Sequence, residues 1–230
     1  MFLREFAVSE RVCWNCAARL ADGHFCLSCG KIQPLAAGED YFSFFGLPRK
    51  LSINLEELEE VFYALSRKFH PDFFFNSSDY EKQISMDKSS TLNDAYRTLR
   101  DPIRRTQYLL ELEGAKTEEG KDKLAADLLE EVFELNLELE ELKAAKKLGD
   151  EDEIKEITAS VAASRQKLEE KIKELEGELQ GSLFAKWDAL LEREATDREQ
   201  REKLLARMNC LLSHLSYLRN LVRDIKEEVQ

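Results

Sequence analysis

Residues 54–72 read NLEELEEVFYALSRKFHPD. Leu55, Leu58, Phe62, Leu65 and Phe69 recur at spacings of three and four, which predicts a helix with one apolar stripe. Asn54 can cap its free N–H groups, Glu57 follows three residues on as in a capping box, and Ile53 and Leu58 occupy the staple positions. Pro71 ends the helix by pushing His70 out of helical geometry. After a loop through residues 73–78, a second helix is expected from Asp79 or Tyr80 to Leu99, with Ile84, Thr91, Ala95 and Leu99 inward. Two antiparallel helices around a rigid polar loop result. Asp101-Pro102 places a capping residue before a proline at a first helical position, so a further helix should cover roughly Ile103 to Glu113.

Towards the C-terminus the periodicity is cleaner. Leu124, Leu128, Val132, Leu135, Leu139 and Leu142 form one stripe. Ile154, Ile157, Val161, Leu168, Ile172, Leu175, Leu179 and Leu183 form a second, and Leu204, Met208, Leu211, Leu215, Leu218, Val222 and Ile225 a third. Gly149-Asp150, with Glu153 three residues on, marks the first break; a Glu/Arg-rich stretch from Glu192 to Glu202 marks the second. A three-helix bundle is the economical packing. The two breaks disfavour the alternative of one long coiled coil.

Composition agrees with an all-α chain. Of 230 residues, 43% are apolar and 35% charged, with only nine Gly and four Pro, so almost no strand is expected beyond the first 35 residues. Three regions separate: a cysteine module with linker over 1–38, the helical hairpin over 39–114, and the bundle over 121–230. The net charge of −12 would repel a phosphate backbone, which speaks against nucleic acid as a partner. No apolar run reaches the roughly 20 residues needed to cross a bilayer. Met1 to Val12 holds neither a secretory core nor an Arg/Ser-rich transit peptide, so the chain reads as cytoplasmic, or as mitochondrial matrix if a presequence was removed.

Cys13-x-x-Cys16 and Cys26-x-x-Cys29, nine residues apart, have the spacing of two knuckles offering four thiolates to one tetrahedral ion, most simply zinc. Gly30 suits a tight turn after the second pair, and Trp14, Phe25 and Leu27 can cover an ion in a region too small for its own core. A rubredoxin-like iron site and a redox-active dithiol are the alternatives. His24 is taken as a bystander, because four thiolates complete the site. Cys210 lies near the stripe of the last helix and reads as a buried thiol. Clustered cysteines of this kind suit a reducing compartment.

His70-Pro71-Asp72 at the tip of two helices, with Arg67 and Lys68 just behind, makes a small polar key on a rigid turn. No nucleophile, glycine-rich phosphate loop or paired acid lies nearby in sequence, so a catalytic use of His70 and Asp72 is disfavoured and the chain is read as a non-enzyme.

Here the sequence resembles the J domain, and its flanks narrow the resemblance to the HscB type of specialised J proteins. The segments that carry it are residues 40–48 (DYFSFFGLP), 70–74 (HPDFF), 90–99 (STLNDAYRTL) and 108–114 (YLLELEG). The resemblance implies a cochaperone whose His70, Pro71 and Asp72 stimulate ATP hydrolysis by a 70-kDa heat-shock-type ATPase chaperone (HscA/DnaK-like), with Arg67 and Lys68 facing an acidic chaperone surface. The lysine that often follows the tripeptide in general J proteins is Phe73 here, as in HscB-like sequences. Animal members of that type carry a similar N-terminal tetracysteine beginning Cys-Trp-x-Cys, matched by Cys13-Trp14-Asn15-Cys16.

On the first helix of the last region, Leu129, Phe133 and Leu137 step by four beside the main stripe. Periodicity alone reads them as a second packing face, against the bundle or the J domain. Residues 128–136 (LLEEVFELN) lie where the resembled family binds its IscU-type iron–sulfur scaffold. The resemblance implies Leu129 and Phe133 as anchors, Glu134 and Asn136 as polar rim, and Phe184, or Trp187 beside it, as a further aromatic contact. Glu130 and Leu137 depart from the family pattern. A general J protein for other clients, and a zinc-ribbon and helical-bundle adaptor, are the competing readings.

Overall fold

The structure, a computed structural model, describes residues 11–21, 23–115, 126–192 and 198–229, with the side chains of residues 126–131 and 229 outside that description. Its chain contacts divide into two compact units. One holds the residues up to Arg49 together with Ile53–Asp101; the other holds Lys50–Ser52 and the chain from Pro102 onward.

In the first unit, α1 (Tyr41–Phe44) is capped reciprocally by Asp40 and Ser43, and Arg49 pairs with Asp40 at 2.7 Å. Helix α2 (Leu55–Phe69) packs on α3 (Asp79–Arg100). Asn54 caps α2 through the N–H groups of Glu56 and Glu57. The capping box is altered, since Glu57 Oε1 accepts from the Asn54 side-chain amide at 2.9 Å and not from its backbone. Leu58 and Phe69 are buried, and the Phe62 ring stacks on Tyr96 with centroids 4.2 Å apart. Leu55, expected in the stripe, is exposed, because the stripe enters the core only one turn later at Leu58. On α3, Ile84, Ala95 and Leu99 are buried as expected; Leu92, not its neighbour Thr91, fills the intervening core position.

The N-terminal part of this unit is two short loops, each closed by an isolated antiparallel bridge, Val12 to Arg19 and Phe25 to Ile32. Their hydrogen bonds repeat: Ala17 N–H to Cys13 C=O and Cys13 N–H to Ala18 C=O in the first, Gly30 to Cys26 and Cys26 to Lys31 in the second.

The second unit contains α4 (Pro102–Leu112), α5 (Ala126–Leu148), α6 (Glu151–Gly177), a π-helical stretch (Glu178–Leu183) leading into α7 (Phe184–Leu191), and α8 (Arg198–Val229). Helix α4, which the sequence boundary at 114 groups with the hairpin, packs here against α8. Gly149 takes a left-handed φ of +75° and Asp150 caps α6 by accepting from Glu153 N–H, so the first break falls where glycine and the cap residue require it. The core joins Leu109 and Leu110 to Leu135 and Leu139, Val161, Leu168, Leu179 and Trp187, and Met208 through Ile225 of α8. Leu124 of the expected stripe, and the side chain of Leu128, lie outside the described residues. Among the described residues no helix is long and apolar enough to cross a membrane.

Candidate functional site

The tripeptide sits where the sequence places it, just beyond the last turn of α2. Pro71 withholds an N–H, His70 turns to ψ 127°, and residues Pro71–Phe74 form one 3-10 turn. The Phe69 carbonyl, left without a helical partner, accepts from the hydroxyls of Ser85 at 2.6 Å and Ser89 at 3.0 Å. The exit of α2 is thereby bolted to α3. Within the loop, Asp72 N–H donates to His70 Nδ1 at 3.3 Å and Phe73 N–H to the His70 carbonyl at 3.0 Å. The Asp72 side chain is 87% exposed, and His70, Phe73, Phe75, Arg67 and Lys68 are exposed with it. Arg67 Nε donates to the Tyr63 carbonyl, which leans its guanidinium along the helix behind the loop. An exposed group of this kind on an ordered turn is open to contact from outside the chain.

On α5, Val132, Leu135, Leu139 and Leu142 face the core, while Phe133 is 65% exposed and Leu137, one turn on, is also exposed. Glu134 and Asn136 are exposed beside them. The side chain of Leu129 lies outside the described residues. Phe184 is not on the open surface. It is 3% exposed, lies in the core, and carries the Arg105 guanidinium over its ring at 5.6 Å; Trp187 is buried as well, beneath Arg201. The π-helical stretch immediately before it is the reason: its wider turn takes up an extra residue, so Leu183 and Phe184 both point inward.

The four sulfurs of Cys13, Cys16, Cys26 and Cys29 all lie within 4.8 Å of one another, with Cys13 to Cys29 at 3.6 Å and Cys16 to Cys26 at 3.7 Å. A tetrahedral ion with metal–sulfur bonds of about 2.3 Å needs sulfurs about 3.8 Å apart, so the donor set fits a metal ion. Burial alone would raise the Cys13 thiol; the N–H groups of Cys16 and Asn15 outweigh it and hold the thiol down at about 6. Cys26 is lowered likewise, by the N–H groups of Cys29 and Ser28 against burial. Buried Gln33 donates from Nε2 to Cys13 Sγ at 3.3 Å and to the Lys31 carbonyl at 2.8 Å, an outer support for one ligand.

His24 stands apart from the sulfurs and does other work. Its Nε2–H donates to the Phe44 carbonyl at 3.1 Å, and its Nδ1 accepts from Lys88 Nζ at 3.1 Å. Burial, helped by the Lys88 ammonium, pulls the imidazole down to about 4, so the ring is neutral at pH 7 and can accept. Sequence reasoning passed over Lys88. The available signal was a lysine at position 88 in the inward series 84, 88, 92, 95, 99.

Comparison with known proteins adds the family. The "Iron-sulfur cluster co-chaperone protein HscB" of Mus musculus is 35% identical over 165 residues, 70% of this chain and 68% of the mouse protein. The chain belongs to the HscB family of co-chaperones. The fold agrees: the crystal structure of human co-chaperone protein HscB superposes with a TM-score of 0.60 at 26% identity, covering 94% of this chain and 98% of that one. Chaperone HscB from Vibrio cholerae superposes at 0.54, covering 84% of this chain and 100% of that one. No family model matches the chain. Among HscB proteins, then, this is one with a four-cysteine cluster able to bind a metal ion, an exposed His-Pro-Asp loop and an exposed apolar pair on α5.

Proposed function

We infer that the chain is an iron–sulfur cluster co-chaperone that stimulates the ATPase of a 70-kDa heat-shock-type chaperone and delivers an IscU-type scaffold protein to it. The observation that carries the first half is the exposed His70-Pro71-Asp72 loop, fixed to α3 through the Phe69 carbonyl and backed by exposed Arg67 and Lys68. The backbone beneath the loop is already ordered, so contact with the chaperone costs little conformational entropy. Positive charge behind it steers an acidic partner towards the loop. The chaperone performs the chemistry, and this chain acts by contact.

The second half rests on α5. An exposed phenylalanine and leucine one turn apart, with exposed Glu134 and Asn136 beside them in sequence, have the makeup of a small anchor patch. Zinc is the ion assigned to the four cysteines, as a structural site closed by four thiolates, which suits a reducing compartment such as the cytoplasm or mitochondrial matrix.

The test is a single-turnover ATPase assay of the chaperone with the purified chain, with and without scaffold. Stimulation should rise further when scaffold is added, and Asp72→Asn should abolish it while leaving thermal unfolding unchanged. Stimulation that ignores scaffold would remove the delivery role; a silent Asp72→Asn would remove the co-chaperone role.

A further inference from the structure

The loop that carries His70-Pro71-Asp72 is held at both ends by the cysteine module. At its entrance, Phe69 is fully buried, with the His24 ring edge-on at 4.9 Å and the Phe25 ring stacked at 6.0 Å and 26°. Lys88 Nζ, 1% exposed as a residue, bridges from α3 to His24 Nδ1 and sits over the Phe69 and Phe44 rings at 5.6 and 5.3 Å. At the exit, Trp14 meets the edge of Tyr80 at 4.9 Å, and Lys31 pairs with Glu81 at 2.9 Å. Glu81 is the residue that closes the capping box with Ser78 and so starts α3. Trp14 in turn is fixed by donating Nε1–H to the Ile32 carbonyl at 2.7 Å.

His24 and Phe25 come immediately before Cys26, and Trp14 lies between Cys13 and Cys16. Among the described residues of the module the buried apolar ones are Cys13, Cys26 and Ile32, too few for a core of its own, so its fold depends on the ion that joins the two loops. We propose that the cysteine module is a positioning clamp for the His-Pro-Asp loop, with His24 and Phe25 as positioning residues, so that metal loading sets the geometry in which the loop meets the chaperone. Metal binding at the sulfurs orders the two loops; the ordered loops press His24 and Phe25 on Phe69 and Trp14 on Tyr80; the nine residues from His70 to Ser78 are then spanned between fixed ends. The clamp rests on the co-chaperone reading for its consequence but not for its geometry.

The experiment uses the full chain, metal-loaded, stripped by chelator, and reloaded with zinc(II) alone. Amide hydrogen exchange and chemical shifts are followed at residues 69, 72 and 73, and at 95 and 99 deeper in α3. Stripping should speed exchange at the first set by tenfold or more and leave the second set within about twofold, and reloading should reverse it. With the chaperone fixed and the stripped chain titrated, the amount of chain needed for half-maximal ATPase stimulation should rise several-fold, with the maximal rate retained. Phe25→Ala should behave like the stripped chain while still binding one metal per chain, and Phe25→Leu should restore the loop. Unchanged exchange at 69–73 on stripping, or equal acceleration at 95 and 99, overturns the clamp. A loaded wild-type chain without any stimulation defeats the co-chaperone reading instead, and the exchange data then judge the clamp alone.

Discussion

The carboxylate of Asp188 on α7 holds the backbone of Leu51: Oδ1 accepts from Leu51 N–H at 2.7 Å, and Oδ2 accepts from Ser52 N–H at 2.9 Å. Leu51 is fully buried in the core of the second unit, so its amide has no water to turn to. Asp188→Ala removes both acceptors and leaves a buried donor, for which a loss of about 2–4 kcal/mol is expected. Urea unfolding followed by the fluorescence of buried Trp187 measures it. Asp188→Asn keeps one carbonyl oxygen and should fall between the two. An Ala variant with wild-type stability would mean that the clasp is ornamental.

The clasp also shows what a sequence yields and what it withholds. Helix ends were legible because local chemistry fixes them: Asn54, Pro71 and Gly149-Asp150 act within a turn of themselves. The cysteine cluster was legible because two short pairs must converge to be of use. Asp188 and Lys88 were not, since each is a charged residue whose partner is 137 or 64 positions away, and periodicity assigns charge to the surface. The burial of Phe184 was hidden for a different reason. The π-helical stretch shifts the register of the stripe by about one residue, and nothing in the spacing of Leu175, Leu179 and Leu183 announces it. Of the candidate site, the loop and the sulfur cluster could be read directly, whereas the role of His24 required the contacts of α3.

Lys88 predicts a pH dependence. Burial holds its ammonium down at about 8, against a reference of 10.5; Glu39 opposes the shift, Arg11 adds to it, and His24 faces it as a neutral acceptor. Between those two values the unfolded chain binds more protons than the folded one, so this group's contribution to stability rises with pH. It is complete above 10.5 and lost as pH falls through about 8. The unfolding free energy of the wild type minus that of Lys88→Met should therefore climb from about pH 8 upward and lie flat below it. Titrations common to both chains cancel in the difference, and a difference without slope in that window would refute the assignment.

The residue that follows each cysteine pair differs between the two knuckles while its backbone does not. Gly30 follows the second pair at φ +71°, and Ala17 follows the first at φ +56°. Left-handed backbone costs a residue with a Cβ roughly 1 kcal/mol relative to glycine. No heavy atom lies within 4 Å of where a Cβ on Gly30 would sit, so the conformational term acts there alone. Because the fold of the module and its metal affinity are linked, Ala17→Gly should tighten metal binding and Gly30→Ala weaken it, each by about fivefold. Competition against a chromophoric chelator reads both, and the two shifts must have opposite signs.

Phe133 and Phe184 separate contact from core. Phe133 is 65% exposed, so Phe133→Ala should change unfolding free energy by no more than about 0.5 kcal/mol. As an anchor of the proposed scaffold surface, the same substitution should weaken scaffold binding tenfold or more, which is about 1.4 kcal/mol or above. Phe184→Ala should do the reverse. It empties a core position beneath Arg105 and should cost about 3–5 kcal/mol of stability. Any loss of scaffold binding should then track the unfolded fraction. Calorimetric titration of scaffold into each variant, at a temperature where the Phe184 variant is still folded, distinguishes them. Equal affinity for Phe133→Ala and wild type would take the scaffold surface away from this face of α5, and a Phe184→Ala chain that is stable yet cannot bind would place that ring back at the contact.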